Sequence, residues 1–136
     1  MKKYLFINTV NPSLPSFAFF SGEGEDIKTL NFIDKQEDLN KNLDLFFKGN
    51  KLKAKDIKAV MVISGPGSFS GGRAGVVLAN SFNFLYKIPV LGIKDEGLDV
   101  FGYIKKHTRR LSLLNKSSVA EVYYNREPDI TLPKKS

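Results

Sequence analysis

The chain has no cysteine and only one histidine, His107. Without thiols, a disulfide scaffold and a thiolate metal site are both excluded. One histidine cannot supply a zinc or iron centre, which usually takes three or more protein ligands. His107 stands between Lys106 and Thr108, beside Arg109 and Arg110, where a solvated helix-end side chain is expected. No Ser-His-Asp or Cys-His set can be assembled around it. Long apolar runs are missing too. The first, Tyr4–Ile7, follows two lysines as a secretory leader would, but it stops at Asn8, and Pro12 and Pro15 follow. A leader needs a longer unbroken stretch, and no segment approaches the length that crosses a bilayer. The expectation is a cytoplasmic protein with no membrane partner and with neither a catalytic set nor a metal site of its own.

What is present suits one core. The chain has 136 residues, 42% of them hydrophobic and 26% charged, which is room for one domain and little for a second. Formal net charge is +7, unevenly spread. Residues 1–102 carry 13 basic and 11 acidic side chains, and residues 103–136 carry 8 basic and 3 acidic. Such an excess suits a phosphate backbone. Lysine outnumbers arginine 17 to 4, however, and bidentate phosphate recognition favours arginine. Contact with RNA is therefore expected to be weak or indirect.

Hydrophobic patterning divides the chain into elements. Lys3–Asn8, Ser16–Ser21 and Ile27–Ile33 read as three strands of an antiparallel meander, separated by Pro12-Ser13 and Gly22-Glu23-Gly24. The period then lengthens. Leu39, Leu43, Phe46 and Phe47 fall at i, i+4, i+7 and i+8, one face of a helix over Asp38–Lys48. Asp34 and Glu37 are spaced like a capping box before it, and Gly49 is a suitable stop. Ala59–Ser64 is a continuous apolar run, as in a strand covered on both faces. Ala74–Lys87 reads as a helix, Val90–Ile93 as a strand and Asp95–Lys106 as a third helix. Asp95, Glu96 and Asp99 at its start suit the helix dipole and are read as structural. Arg110–Leu114 and Val119–Tyr124 read as two last strands. Residues 1–124 form one lobe, and residues 125–136 read as a loose C-terminal tail. The order βββ-α-β-α-β-α is that of a ribonuclease H-like α/β fold with a mixed sheet, shared by actin-like ATPase lobes.

One motif is sharp. Gly65-Pro66-Gly67-Ser68-Phe69-Ser70-Gly71-Gly72-Arg73 follows the buried strand and opens a helix. Backbone N–H groups at such a turn, beside the positive end of a helix dipole, can hold phosphate or carboxylate. Ser68 or Ser70 can cap the helix. The same residues can equally make a tight turn that packs helix on sheet. The turn is not a Walker motif, because no Gly-Lys-Ser/Thr ends it.

Val62–Gly75 is very similar to the signature GPGSFTGLRIG of the TsaB (YeaZ) family of tRNA threonylcarbamoyladenosine biosynthesis proteins. Ile88–Ile93 resembles that family's IPLVGV strand, Lys94–Phe101 the start of its SSLEALA helix, and Leu5–Thr9 its LAIDT strand. Val119–Tyr123 is a weaker echo of RRGEVY. The resemblance runs over most of residues 3–124 and implies a minimal or truncated member, corresponding to the N-terminal actin-like lobe. It departs from the family at Asn8, where a carboxylate that serves metal-phosphate chemistry in actin-like ATPases is usual, at Ser70 for Thr and at Gly72 for Leu. The family's second lobe is not seen.

The resemblance implies a non-catalytic scaffold for a TsaD-like catalytic subunit, with a TsaE-like ATPase also involved and ATP and metal held by the partner. The alternative is a small actin-like nucleotide-binding enzyme, against which Asn8 and the missing lobe argue. The expected partner surface lies on the first two helices, where the chain also self-associates. Ala74, Leu78, Phe82 and Leu85 would face the sheet. Arg73, Val76, Val77, Asn80, Asn83 and Phe84 would point elsewhere, and Phe47 would lie at the margin.

Overall fold

Among the described residues, five strands and three α-helices follow one another in the order that the sequence predicts as far as the third helix. The computed structural model describes residues 2–22, 24–30, 39–65 and 69–120. The strands are β1 (Lys3–Ile7), β2 (Phe17–Ser21), β3 (Glu25–Leu30), β4 (Ile57–Gly65) and β5 (Val90–Lys94). The helices are α1 (Leu39–Gly49), α2 (Phe69–Tyr86) and α3 (Val100–Ser112). One sheet runs β3-β2-β1-β4-β5. The hairpin-linked strands β1, β2 and β3 pair antiparallel, whereas β1–β4 and β4–β5 are parallel. Parallel pairing requires a crossover between strands, and α1 and α2 lie in those crossovers.

Because strand side chains alternate, the sheet has two apolar faces. Leu5, Ile7, Phe17, Phe19, Val60, Val62 and Val90 pack with Leu39, Leu43, Phe46 and Phe47 of α1 and Val76, Ala79 and Phe82 of α2. Tyr4, Phe6, Ala18, Phe20, Met61, Ile63, Leu91 and Ile93 pack with Val100, Tyr103, Ile104 and Leu111 of α3. Phe19 stacks on Phe46 with ring centroids 4.4 Å apart, and Phe47 reaches Phe82 at 6.1 Å, joining α1 to α2. At the antiparallel edge, Lys3 Nζ donates to Asp26 Oδ2 at 2.6 Å and to Ser21 Oγ at 2.9 Å. This bond with Lys3 holds the Asp26 carboxyl below its ordinary range.

Several boundaries differ from the sequence reading. Helix α2 begins at Phe69, five residues before Ala74, so Gly71 and Gly72 lie inside its first turns and Ser70 is its second residue rather than a cap. Helix α3 begins at Val100, not Asp95. Its N-cap is Asp99, whose side chain accepts from Gly102 N–H at 2.7 Å. That helix runs to Ser112 and absorbs most of Arg110–Leu114, which is therefore not a strand. Arg109 and Arg110 occupy its last turn, where cations suit the dipole. His107 is buried rather than solvated, because it belongs to the inward stripe Val100-Tyr103-Ile104-His107-Leu111. Past α1, the left-handed residue is Lys51, with φ of 59°, and not Gly49, which is still helical. Asp34 and Glu37, the end of the third predicted strand and residues 121–136 lie outside the described residues. Residues 119 and 120 are not in a strand. Among the described residues, no helix is long and apolar enough to cross a membrane.

Candidate partner groove and glycine turn

Helix α2 passes close to the sheet where the residues between them are small. A Cβ on Gly75 would lie 2.6 Å from Thr9 Oγ1 and 3.5 Å from Val62 Cγ2. Ala79 is fully buried one turn on. This close approach sets the rotation of α2, so Gly75, Val76, Ala79 and Phe82 face the sheet. Ala74 and Leu78 are only partly buried against that core. Leu85, expected to face the sheet, is 63% exposed.

The interface residues expected from the sequence fall into two groups. Val77 and Phe84 are 64% and 79% exposed, and Arg73 is also at the surface. Val76 and Phe47 are buried in the core of this chain. Asn80 is used internally: its Nδ2 donates to Ala120 O at 3.0 Å and its Oδ1 accepts from Ala120 N–H at 2.9 Å. Asn83 likewise donates to Ile88 O at 3.1 Å and Lys116 O at 2.6 Å. These two amides fasten the segment after α3 to α2.

Between the C-terminal half of α2 and α1 lies a groove of about 730 Å3. Its apolar lining comes from Leu43, Phe47, Leu52, Leu78, Phe82, Leu85 and Tyr86, and Lys48, Lys51 and Lys53 stand around it with Asp44. Of those cations Lys48 is paired with Asp44 at 3.1 Å. Sequence periodicity missed Leu85 and Tyr86 as groove residues.

At the glycine turn, Gly65 has φ of 127°, a conformation that side chains rarely adopt. Its carbonyl accepts from Asp95 N–H at 2.7 Å, tying the turn to the loop after β5. Gly67 and Ser68 lie outside the described residues, as do the side chains of Ser70 and the position of any Cβ on Gly71. Ser64 Oγ is fully buried and has no hydrogen-bond partner among the described residues. It sits against Gly92 and Ala120, since a Cβ on Gly92 would lie 2.6 Å from it and 2.9 Å from Ala120 Cβ.

Asn8 directly follows β1, and it is 2% exposed. Its Nδ2 donates to Asn11 O at 2.7 Å and Pro15 O at 3.2 Å, with Leu14 O at 3.4 Å. Its Oδ1 accepts from Val10 N–H at 3.0 Å and Asn11 N–H at 2.9 Å. The amide thus knits its own loop through both ends. A carboxylate has no donor for the three carbonyls.

The acidic residues near α3 are engaged with their surroundings. Tyr103 O–H donates to Asp95 Oδ1 at 2.8 Å and accepts from Glu96 N–H at 2.6 Å. Burial, and then Asp95, raises the Tyr103 pKa. Glu96 pairs with Lys106, which lowers its carboxyl pKa. Among the described residues no group of three or more His, Asp or Glu side chains could hold a metal.

Similarity to known proteins bears on this arrangement. The chain is similar to YeaZ from Pseudomonas aeruginosa, with 20% identity and a TM-score of 0.55, over 70% of this chain and 44% of that one. The fold is that of YeaZ. A second solved structure, described as an uncharacterized protein with similarity to peptidase YEAZ from Pseudomonas aeruginosa, matches with 22% identity and a TM-score of 0.51 over the same shares. The chain therefore spans less than half the length of either YeaZ structure. The family model TsaD, tRNA N6-adenosine threonylcarbamoyltransferase, matches residues 34–98, from before α1 to beyond β5. No curated protein matches the chain. A YeaZ-like, ribonuclease H-like lobe is thus what the sequence resemblance led one to expect, and the actin-like order of elements agrees with it.

Proposed function

We propose that this chain is a non-catalytic subunit of a tRNA threonylcarbamoyladenosine-modifying assembly, bound to a TsaD-like catalytic subunit through the face formed by α1 and α2. The observation that carries this reading is the surplus of apolar surface on this face: a groove between those helices that Leu85 and Tyr86 help to line, and Val77 and Phe84 exposed on α2 outside that lining. Exposed apolar surface of this kind marks an interaction site more often than an idle one. Support for the partner's identity comes from the YeaZ fold and from the match to the TsaD family over the residues that build the groove. In this reading ATP and metal belong to the partner, and a TsaE-like ATPase joins the assembly. Before the partner arrives, the same face joins two copies of the chain. The internally bonded Asn8 supports a scaffold over a nucleotide-hydrolysing role, since the loop offers no carboxylate at that position.

The test is Val77→Asp with Phe84→Asp. Both side chains are exposed, so the variant should fold like the parent. It is expected to lose self-association in analytical ultracentrifugation and to lose co-purification with a TsaD-like protein. Anchors at an interface centre contribute about 2 kcal/mol or more each, so losing both should lower affinity by about a thousandfold. A folded variant that associates as well as the parent would overturn the assignment of this face.

A further inference from the structure

The opposite face of the sheet presents a different surface. Helix α3 carries Lys105, Lys106, Arg109 and Arg110 and no acidic residue. Its apolar stripe, Val100, Tyr103, Ile104 and Leu111, is consumed by the core together with His107. What remains outward is basic. Phe101, Lys105 and Arg109 follow at i, i+4 and i+8, one exposed line rising about 6 Å per step. Lys106 is neutralised locally by Glu96, and Arg110 donates to His107 Nδ1 at 3.1 Å. Among the described residues, Lys105 and Arg109 meet no carboxylate. Lys105 Nζ instead lies 5.6 Å from the centroid of the Phe101 ring. That ring is 48% exposed, with its inner edge against Gly24, where a Cβ would come within 2.9 Å of it. Lys116 extends the basic character just past the helix, and it too is exposed.

The helix dipole accounts for Arg109 and Arg110 in the last turn. It does not account for Lys105 one turn earlier, nor for an exposed aromatic ring in line with both. A line of cations that meet no carboxylate among the described residues, ending in a half-exposed ring, matches the two things a nucleic acid strand offers, phosphates and base faces. An anionic membrane offers the charge as well, but an interfacial helix must also insert an apolar face, and that of α3 is already buried. We propose that the outer face of α3 is an RNA-binding surface, with Lys105 and Arg109 on phosphates and the Phe101 ring available for stacking. This surface lies across the sheet from the α1–α2 groove, so RNA and a protein partner would not compete for it. The inference does not depend on the identity of that partner.

The experiment uses the purified full chain and a fluorescein-labelled tRNA transcript, titrated by anisotropy over a series of salt concentrations. Circular dichroism melts check folding. The parent should bind, with affinity falling as salt rises. Lys105→Glu with Arg109→Glu should weaken binding by about tenfold or more and flatten the slope of log affinity against log salt by about 1 to 2. Lys105→Gln with Arg109→Gln should act in the same direction by less, and serves if the charge reversal impairs folding. Val77→Asp with Phe84→Asp should bind the tRNA like the parent. Failure of the parent to bind at micromolar concentration would overturn the proposal. So would unchanged binding in both α3 variants, or binding to phosphatidylserine vesicles without binding to tRNA.

Discussion

Replacing Asn8 with aspartate would restore the carboxylate that actin-like ATPases carry at the end of this strand, and the structure argues that it would damage the chain instead. Asn8 is 2% exposed, and its Nδ2 faces the carbonyls of Asn11, Leu14 and Pro15. An aspartate keeps the acceptor for Val10 and Asn11 N–H but turns the donor into a second acceptor. The Asn11 carbonyl, now bonded at 2.7 Å, loses its partner, at about 1–3 kcal/mol. An ionised oxygen then confronts three carbonyl dipoles with little water, so the total should reach about 3 kcal/mol or more. For a chain of this size, that lowers Tm by about 10 °C. The pH dependence distinguishes this cause from a general loss of packing. Burial among carbonyls raises the folded pKa of the new carboxyl above its unfolded value of about 3.9. The folded state then takes up the proton first, and the protonated carboxyl can donate to Asn11 O as the amide does. The deficit relative to the parent should therefore narrow as pH falls through the raised folded value. Urea denaturation of both proteins at about pH 7.5 and about pH 5 measures it. An aspartate variant as stable as the parent at the higher pH, or a deficit that stays constant, would refute the argument. The variant is also expected to show no ATP hydrolysis above that of the parent.

Two further outcomes follow from buried groups. His107 is buried, and desolvation, then Arg110 and Lys106, lower its pKa from the ordinary 6.5. The unfolded state therefore binds the proton first, so stability is full above about pH 6.5 and declines as pH falls from there toward the lower folded value; His107→Leu should flatten that part of a melting-temperature profile, and an unchanged profile would show that His107 does not cause it. Gly75→Val places a branched side chain where a Cβ alone would approach Thr9 Oγ1 to 2.6 Å. Overpacking of this kind costs about 1–3 kcal/mol, so a melting temperature equal to the parent's would show that α2 can lift from the sheet freely.

The order of elements was legible because each carries its own period. The run Ala59–Ser64 lies within β4, buried on both faces, and the spacing of Leu39, Leu43, Phe46 and Phe47 is the buried stripe of α1. Errors gathered where one signal has two physical causes. Asp95, Glu96 and Asp99 resemble a helix start, but only Asp99 caps α3, while Asp95 receives Tyr103 O–H and Glu96 meets Lys106. The cations of Arg109-Arg110 do not stop a helix. They suit its end, and the inward residues His107 and Leu111 carry α3 beyond Lys106.

The rotation of α2 was not legible for a different reason. Its sequence is apolar on nearly every side, so periodicity selects no single face, and choosing the bulkiest line picks Leu78, Phe82 and Leu85. Packing made a different choice. Where α2 approaches the sheet, the facing residues must be small, and Gly75 and Ala79 are what permits the approach. Large side chains are then pushed to the flanks, which leaves Leu85 and Tyr86 lining the groove and Phe84 at the surface. The same rotation draws Val76 into the core and aims Asn80 and Asn83 at the segment after α3. In a helix of this composition, the small residues indicate which side is buried, and the surplus of large ones indicates how much apolar surface is left for something else to cover.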